Sequence, residues 1–375
     1  FRKGLRHYLA THDGSAVTCD DFRNAMAEAN GADLTRVERW YSQAGTPTVR
    51  ARGVWDASTR RYSLTLAQSQ RQMPDSDPPL PLPIPLRVGL LGVDGTELPG
   101  TARTLQLVEQ EQTFTFEDVP EAPVLSLGRG FSAPIRIEIE RAPDELAFLL
   151  SHDTDPFSRW EAGQDLAKRI LVRLVDDVRE GRRLEVEPLA VEAFRKVLLD
   201  ESLDGSIKAL TLSLPSEELV SQELESVDPD AVHEARRAFE SRLGVELAAE
   251  WNDTYERHAS GSESVSKTEV DRRRIKNRAL RYLVATGRQA AIDLAATQFR
   301  GARGMTDYEA AFACLIDIDA PETDEAIDSF FSRWRDEPLV LDKWFRMQAM
   351  SYAPSAFERV VALSKHPSFT LSNPN

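Results

Sequence analysis

Apolar and polar positions divide the chain into three stretches of different period. Near the start, Leu5, Tyr8 and Leu9 share one helical face until His12-Asp13-Gly14 breaks the pattern. Phe22, Ala25, Met26 and Ala29 then repeat at the spacing of an amphipathic helix. Thr18, with Asp21 three residues on, predicts the capping box that opens it, and Asn30-Gly31 predicts its end. Asp33 predicts the cap of a short helix through Trp40 and Tyr41. Gly45 and Pro47 stop that helix, because proline cannot continue one.

The middle stretch alternates instead. Tyr62, Leu64 and Leu66 are separated by Ser63 and Thr65, Phe114 and Phe116 by a threonine, and Ile135, Ile137 and Ile139 by Arg136 and Glu138. Period 2 predicts half-buried strands. Turn signals recur at Asp94-Gly95, Pro99-Gly100 and Gly128 to Gly130, and the whole predicts a small β-sandwich. The last stretch returns to the helical period, with Trp160, Gly163, Ala167, Ile170, Leu174 and Val178 on one stripe. Asp228-Pro229 predicts a helix start, and Thr306 with Glu309 predicts a capping box. We expect roughly nine to eleven helices paired by short loops, stacked as an α-solenoid or irregular array without a fixed repeat.

Charge narrows the function classes. Lys and Arg number 46 and Asp and Glu 61, a net −15. Such a balance argues against a general nucleic-acid binder. No stretch reaches the ~20 apolar residues of a spanning helix, so no membrane partner is expected. Two cysteines, Cys19 and Cys314, exclude a disulfide scaffold and a cysteine-only zinc site, and fit a reducing compartment.

The chemistry-bearing residues form no complete site. His7, His12, His152, His233, His258 and His366 include no H-E-x-x-H pair, and read as surface or capping histidines. There is no G-x-S-x-G elbow and no phosphate loop; Gly89, Gly92 and Gly95 read as turn glycines. Cys19 at a helix start is a weak nucleophile candidate. Asp75 to Leu86 carries Pro78, Pro79, Pro81, Pro83 and Pro85. It reads as a polyproline ligand or, preferably, as a loop entering an edge strand. Arg272 to Arg274, Lys276, Arg278 and Arg281 form the one basic run. The run reads as a site for an acidic partner or, preferably, as the solvated face of a helix whose Ile275, Leu280 and Leu283 point inward.

Several stretches, among them His12-Asp13-Gly14-Ser15, Trp40 to Pro47, Phe131 to Pro134 and Phe157 to Ala162, nevertheless resemble one family, the aminopeptidase N zinc exopeptidases, in their bacterial branch. His12-Asp13-Gly14-Ser15 running into Thr18 to Phe22 resembles a segment late in the thermolysin-like catalytic domain. Trp40 to Pro47 resembles the W-x-x-Q-x-G-x-P passage into the family's β-sandwich, and Phe131-Ser132-Ala133-Pro134 the last strand of that sandwich. Phe157 to Ala162 resembles the opening of the helical C-terminal domain; Asp342 to Phe345, Gln348-Ala349 and Ser368 to Asn375 resemble later parts of it.

The resemblance implies a multidomain α+β chain. Residues 1–45 would be a helical remnant of the catalytic domain, 46–142 the all-β sandwich, and 143–375 a truncated α-helical superhelical array. Both ends then read as cuts in a longer protein. The family's H-E-x-x-H, glutamate ligand, G-x-M-x-N stretch and catalytic tyrosine would lie upstream, so no catalytic, cofactor-binding or metal residue is assigned. The implied role is the accessory part of a cytoplasmic zinc aminopeptidase acting on peptides, packed on a catalytic domain that carries the zinc. The alternative is a stand-alone sandwich-plus-array module that binds a protein or peptide.

Overall fold

The structure, a computed structural model, describes residues 1–72, 74 and 77–373. Asp75 of the proline-rich segment, and Pro374 and Asn375 of the last stretch of resemblance, lie outside the described residues. The chain forms two compact bodies, residues 1–161 and 162–375.

The first body opens with α1 (Arg2–His12), α2 (Cys19–Asn30) and α3 (Arg39–Ser42). The Thr18–Asp21 capping box is present in both directions, and Gly31 closes α2 at φ 60°. Gly4 brings α1 against α2, since a Cβ there would lie 2.2 Å from Met26 Sδ. Among the described residues seven strands follow: β1 (Thr48–Asp56), β2 (Arg61–Ser69), β3 (Ile84–Leu91), β4 (Arg103–Leu107), β5 (Glu111–Phe116), β6 (Val124–Leu127) and β7 (Arg136–Glu138). They form a four-stranded sheet ordered β5-β2-β1-β7 and a three-stranded sheet ordered β4-β3-β6. All pairs are antiparallel except β1 with β7. Leu64 and Leu66 of β2 meet Ile84, Leu86 and Leu90 of β3 in one fully buried apolar cluster.

β3 is the middle strand of its sheet, not the edge strand that its prolines suggest. The register explains how Pro85 is tolerated. β4 pairs with Ile84 to Val88, whereas β6 joins only from Val88 to Leu91. At Pro85 the strand therefore has a neighbour on one side, and a missing N–H can face away from it. The W-x-x-Q stretch holds the approach to this strand. Arg39 donates to Pro81 O, Trp40 Nε1 to Pro83 O at 3.1 Å, and Gln43 Nε2 to Leu80 O at 3.0 Å, while Leu80 N donates back to Gln43 Oε1.

α4 (Pro143–His152) also belongs to the first body, and α5 (Pro156–Arg179) runs from it into the second. Arg129 ties the sandwich to this helical turn, with Nε on Ser126 Oγ at 2.7 Å and ion pairs to Glu97 and Asp153. Gly89 leaves the space it needs, because a Cβ there would lie 2.3 Å from the guanidinium.

The second body continues with α6 (Pro188–Leu199), α7 (Gly205–Thr211), α8 (Glu217–Ser221), α9 (Pro229–Glu246), α10 (Ala248–Arg257) and α11 (Lys267–Val284). It closes with α12 (Gln289–Gly301), α13 (Met305–Ile316), α14 (Pro321–Trp334), α15 (Pro338–Ala349) and α16 (Ala356–Leu363). Thirteen helices from α4 to α16 among the described residues exceed the nine to eleven expected; α7 and α8 are too short to show a helical period. Asp228 caps α9 by accepting from Ala231 N, with Pro229 in the first turn. The Thr306–Glu309 box does not form. Gly304 is the cap of α13, and Glu309 instead pairs with Lys343 of α15. Among the described residues no helix is long and apolar enough to cross a membrane.

Candidate functional site

The second body holds a cavity of about 440 Å³ lined by α9, α11, the end of α13 and Tyr352 in the turn before α16. Two of these helices, α9 and α11, pack very closely. Gly244 of α9 has no room for a Cβ, which would lie 2.3 Å from Tyr282 O of α11. Tyr282 is fully buried, stacks on Trp251 at 4.4 Å between centroids, and donates its hydroxyl to Leu212 O at 2.6 Å.

Charge gathered around the buried Glu240 forms the floor. Arg281 binds Glu240 through Nε at 3.2 Å and Asp317 through Nη1 at 2.6 Å. Arg236 approaches Glu240 at 3.8 Å and donates Nε to Pro215 O at 2.9 Å. Burial acts to raise the carboxyl pKa of Glu240, but Arg281 and Arg236 outweigh it, and the net shift is downward. Cys314 has the opposite fate: burial pushes its thiol up to about 12, so it presents a neutral S–H and no nucleophile.

His233 and Tyr352 form one wall. Their rings stack at 4.8 Å, and His233 Nδ1 lies 2.9 Å from Glu217 Oε1. The turn that carries Tyr352 is pinned, with Tyr352 N donating to Asp317 Oδ1 at 3.1 Å and Ser355 N to Asp319 Oδ2 at 3.2 Å. Apolar wall comes from Leu184, Val284, Ala285 and Ile318.

Of the six histidines, only His233 lines this cavity. His7 pairs with Glu28, and His12 ends α1 beside Tyr8. His152 ends α4 against Phe148, His258 donates Nδ1 to Thr254 O, and His366 packs among Phe331, Trp344 and Phe345. Cys19 is exposed at the start of α2.

The basic run has a different role from the solvated face expected of it. Arg273 and Lys276 are buried. Arg273 donates to Ser262 O and Ser264 O, and Lys276 pairs with Asp307. Arg278 donates to Ala209 O, and Arg281 forms the cavity floor. The run stitches α11 to its neighbours, and within it only Arg274 is exposed. Sequence reasoning missed Glu240, Asp317 and Tyr352. One signal existed: Glu240 follows Phe239 on the buried stripe of α9 marked by Val232, Ala235, Phe239 and Leu243.

An Ig-like sandwich followed by an irregular helical array with an ion-lined cavity is thus the class of architecture. Residues 45–140 match the family described as "Domain of unknown function (DUF3458) Ig-like fold". Residues 143–375 match "Domain of unknown function (DUF3458_C) ARM repeats", and the chain belongs to that family. Along its whole length it is 36% identical over 381 residues to aminopeptidase N of Escherichia coli (strain K12), covering 44% of that protein. It is 37% identical over 380 residues to aminopeptidase N of Caulobacter vibrioides, covering 100% of this chain and 43% of that protein. The chain therefore spans less than half the length of these curated relatives. A solved structure, Legionella pneumophila aminopeptidase A in complex with aspartic acid, superposes on 99% of this chain and 43% of that one, with TM-score 0.85 and 27% identity.

Proposed function

We propose that this chain is the accessory C-terminal portion of a zinc-dependent aminopeptidase that removes N-terminal amino acids from peptides. In this reading residues 1–45 are the helical tail of the catalytic domain. The sandwich, 46–142, and the array, 143–375, pack on that domain and cap its chamber. An exopeptidase must keep folded chains from its reacting centre, and a large curved helical array performs that exclusion without supplying a reacting group. The observation that carries the proposal is similarity to bacterial aminopeptidases N from end to end of this chain, over less than half of theirs.

Zinc belongs to the proposed whole enzyme. Among the described residues no group of three or more His, Cys, Asp or Glu is placed to hold a metal ion. These residues do not fit the metal, and no catalytic step is assigned to them. The same reading puts the enzyme in the cytoplasm, acting on peptides and neither on nucleic acid nor at a membrane.

The test is hydrolysis of an alanyl chromogenic amide by the purified chain, with zinc added and with a chelator control, beside the chain joined to the catalytic portion of an aminopeptidase N. Turnover by the joined protein alone is expected. Chelator-sensitive turnover by the chain alone would overturn the accessory role. A second reading, a stand-alone module that binds peptides, draws support from the cavity in the array, and would gain if the chain formed no complex with a catalytic portion.

A further inference from the structure

The ions in the cavity floor neutralise one another: Arg281 and Arg236 face Glu240, and Arg281 also faces Asp317. What an entering molecule meets is therefore set by the groups left over. Two charged side chains at the rim have no ion pair among the described residues: Glu234 and Arg237, both exposed and both lining the cavity. They stand three apart on α9, so their Cβ atoms are about 5–6 Å from each other on one side of the helix. The same cavity is also lined by the His233–Tyr352 stack and by the apolar Val284, Ala285 and Ile318.

From this arrangement we propose that the cavity is a binding site for a short zwitterionic peptide, a dipeptide in particular. Glu234 receives its α-ammonium, Arg237 its α-carboxylate, and the apolar patch a side chain. A monovalent anion or cation would satisfy one rim charge and leave the other unmatched. An extended dipeptide spans at most about 7 Å, which suits two arms rooted about 5–6 Å apart. The volume of about 440 Å³ lies in the range of small-molecule sites. The site is also preformed, because the turn carrying Tyr352 is tied to Asp317 and Asp319 before any ligand arrives. The proposal rests on the aminopeptidase reading only for the source of such peptides.

The test is calorimetric titration of the whole chain with Ala-Leu, N-acetyl-Ala-Leu and Ala-Leu-amide. Ala-Leu is expected to bind saturably, and each blocked form about tenfold more weakly, the scale of one charge-assisted hydrogen bond. Glu234→Gln should erase the discrimination against the acetylated form alone, and Arg237→Gln that against the amide alone. Both positions are exposed, and an unchanged circular dichroism spectrum checks that both variants fold. Equal affinity for all three ligands, sensitivity to one block only, or no saturable binding of Ala-Leu would each overturn the proposal. No turnover is measured, so the outcome is separate from that of the hydrolysis assay.

Discussion

The sandwich and the array solve the same problem, an interior closed to water, with different materials. The cluster between the two sheets is built of hydrophobic side chains, from Val49 and Leu64 to Leu105 and Leu127, and the sandwich buries the charged Arg129 as well. The array buries Arg273, Lys276, Glu240 and Asp307 among its leucines and aromatics, each with a charged or carbonyl partner. An apolar interior tolerates many arrangements of similar volume. A buried ion tolerates only the arrangement that supplies its partner. The sandwich thus leans mainly on pattern, and the array leans more on particular pairs.

Substitutions can sharpen this contrast. The largest effect is expected at the Lys276–Asp307 pair. Lys276→Ala strands a buried carboxylate and should cost about 3–5 kcal/mol in urea unfolding of the array, whereas Lys276→Met with Asp307→Leu should restore most of it. Equal losses in single and double variants would break the comparison. In the sandwich, Leu64→Ala should cost about 2–5 kcal/mol by cavity formation, and no second substitution of charge would rescue it. Trp40→Phe, which keeps most of the ring and loses the bond to Pro83 O, should cost about 1 kcal/mol. The smallest effect is expected at the exposed Arg300–Glu325 pair, where Arg300→Gln should leave the unfolding midpoint unchanged within error.

Acid and alkali probe the array from opposite sides. Glu240 has its folded pKa below the ordinary 4.5, so its contribution is present above that value and is lost as pH falls through the folded value. Cys314 is raised from 9.0 to about 12, so its contribution is complete below pH 9 and is lost as pH rises toward 12. Cys314→Ala should flatten the alkaline limb of a midpoint-against-pH curve and leave the acid limb alone. An unchanged alkaline limb would show that the thiol does not contribute to it.

How much of this was legible in the sequence follows the same division. Tyr62, Leu64 and Leu66 announce β2 because side chains of a strand alternate by geometry alone. β3 was harder, since its local edge at Pro85 depends on where β6 begins, a fact of register set by distant residues. The basic run of α11 was misread because a helix face is judged by period, and nothing in the local sequence says that a carboxylate 41 positions away will meet Arg281. The same holds for Glu309, whose local partner Thr306 loses to Lys343. Tyr352 joins the cavity through a turn with no periodicity to read. Resemblance to a family, carried by short stretches such as Trp40 to Pro47, reached the overall architecture where periodicity stopped, but it does not name the ions that line the cavity.

The grip of Trp40 and Gln43 on residues 80–83 also bears on where the chain can be cut. Trp40 packs against the sandwich cluster while lying before residue 45, where the Ig-like match begins. An expression boundary drawn at that match would remove an indole from the wall of the cluster and four hydrogen bonds from the lead-in to its central strand. A recombinant sandwich should therefore start before Asp33, so that the short helix travels with the strands it fastens.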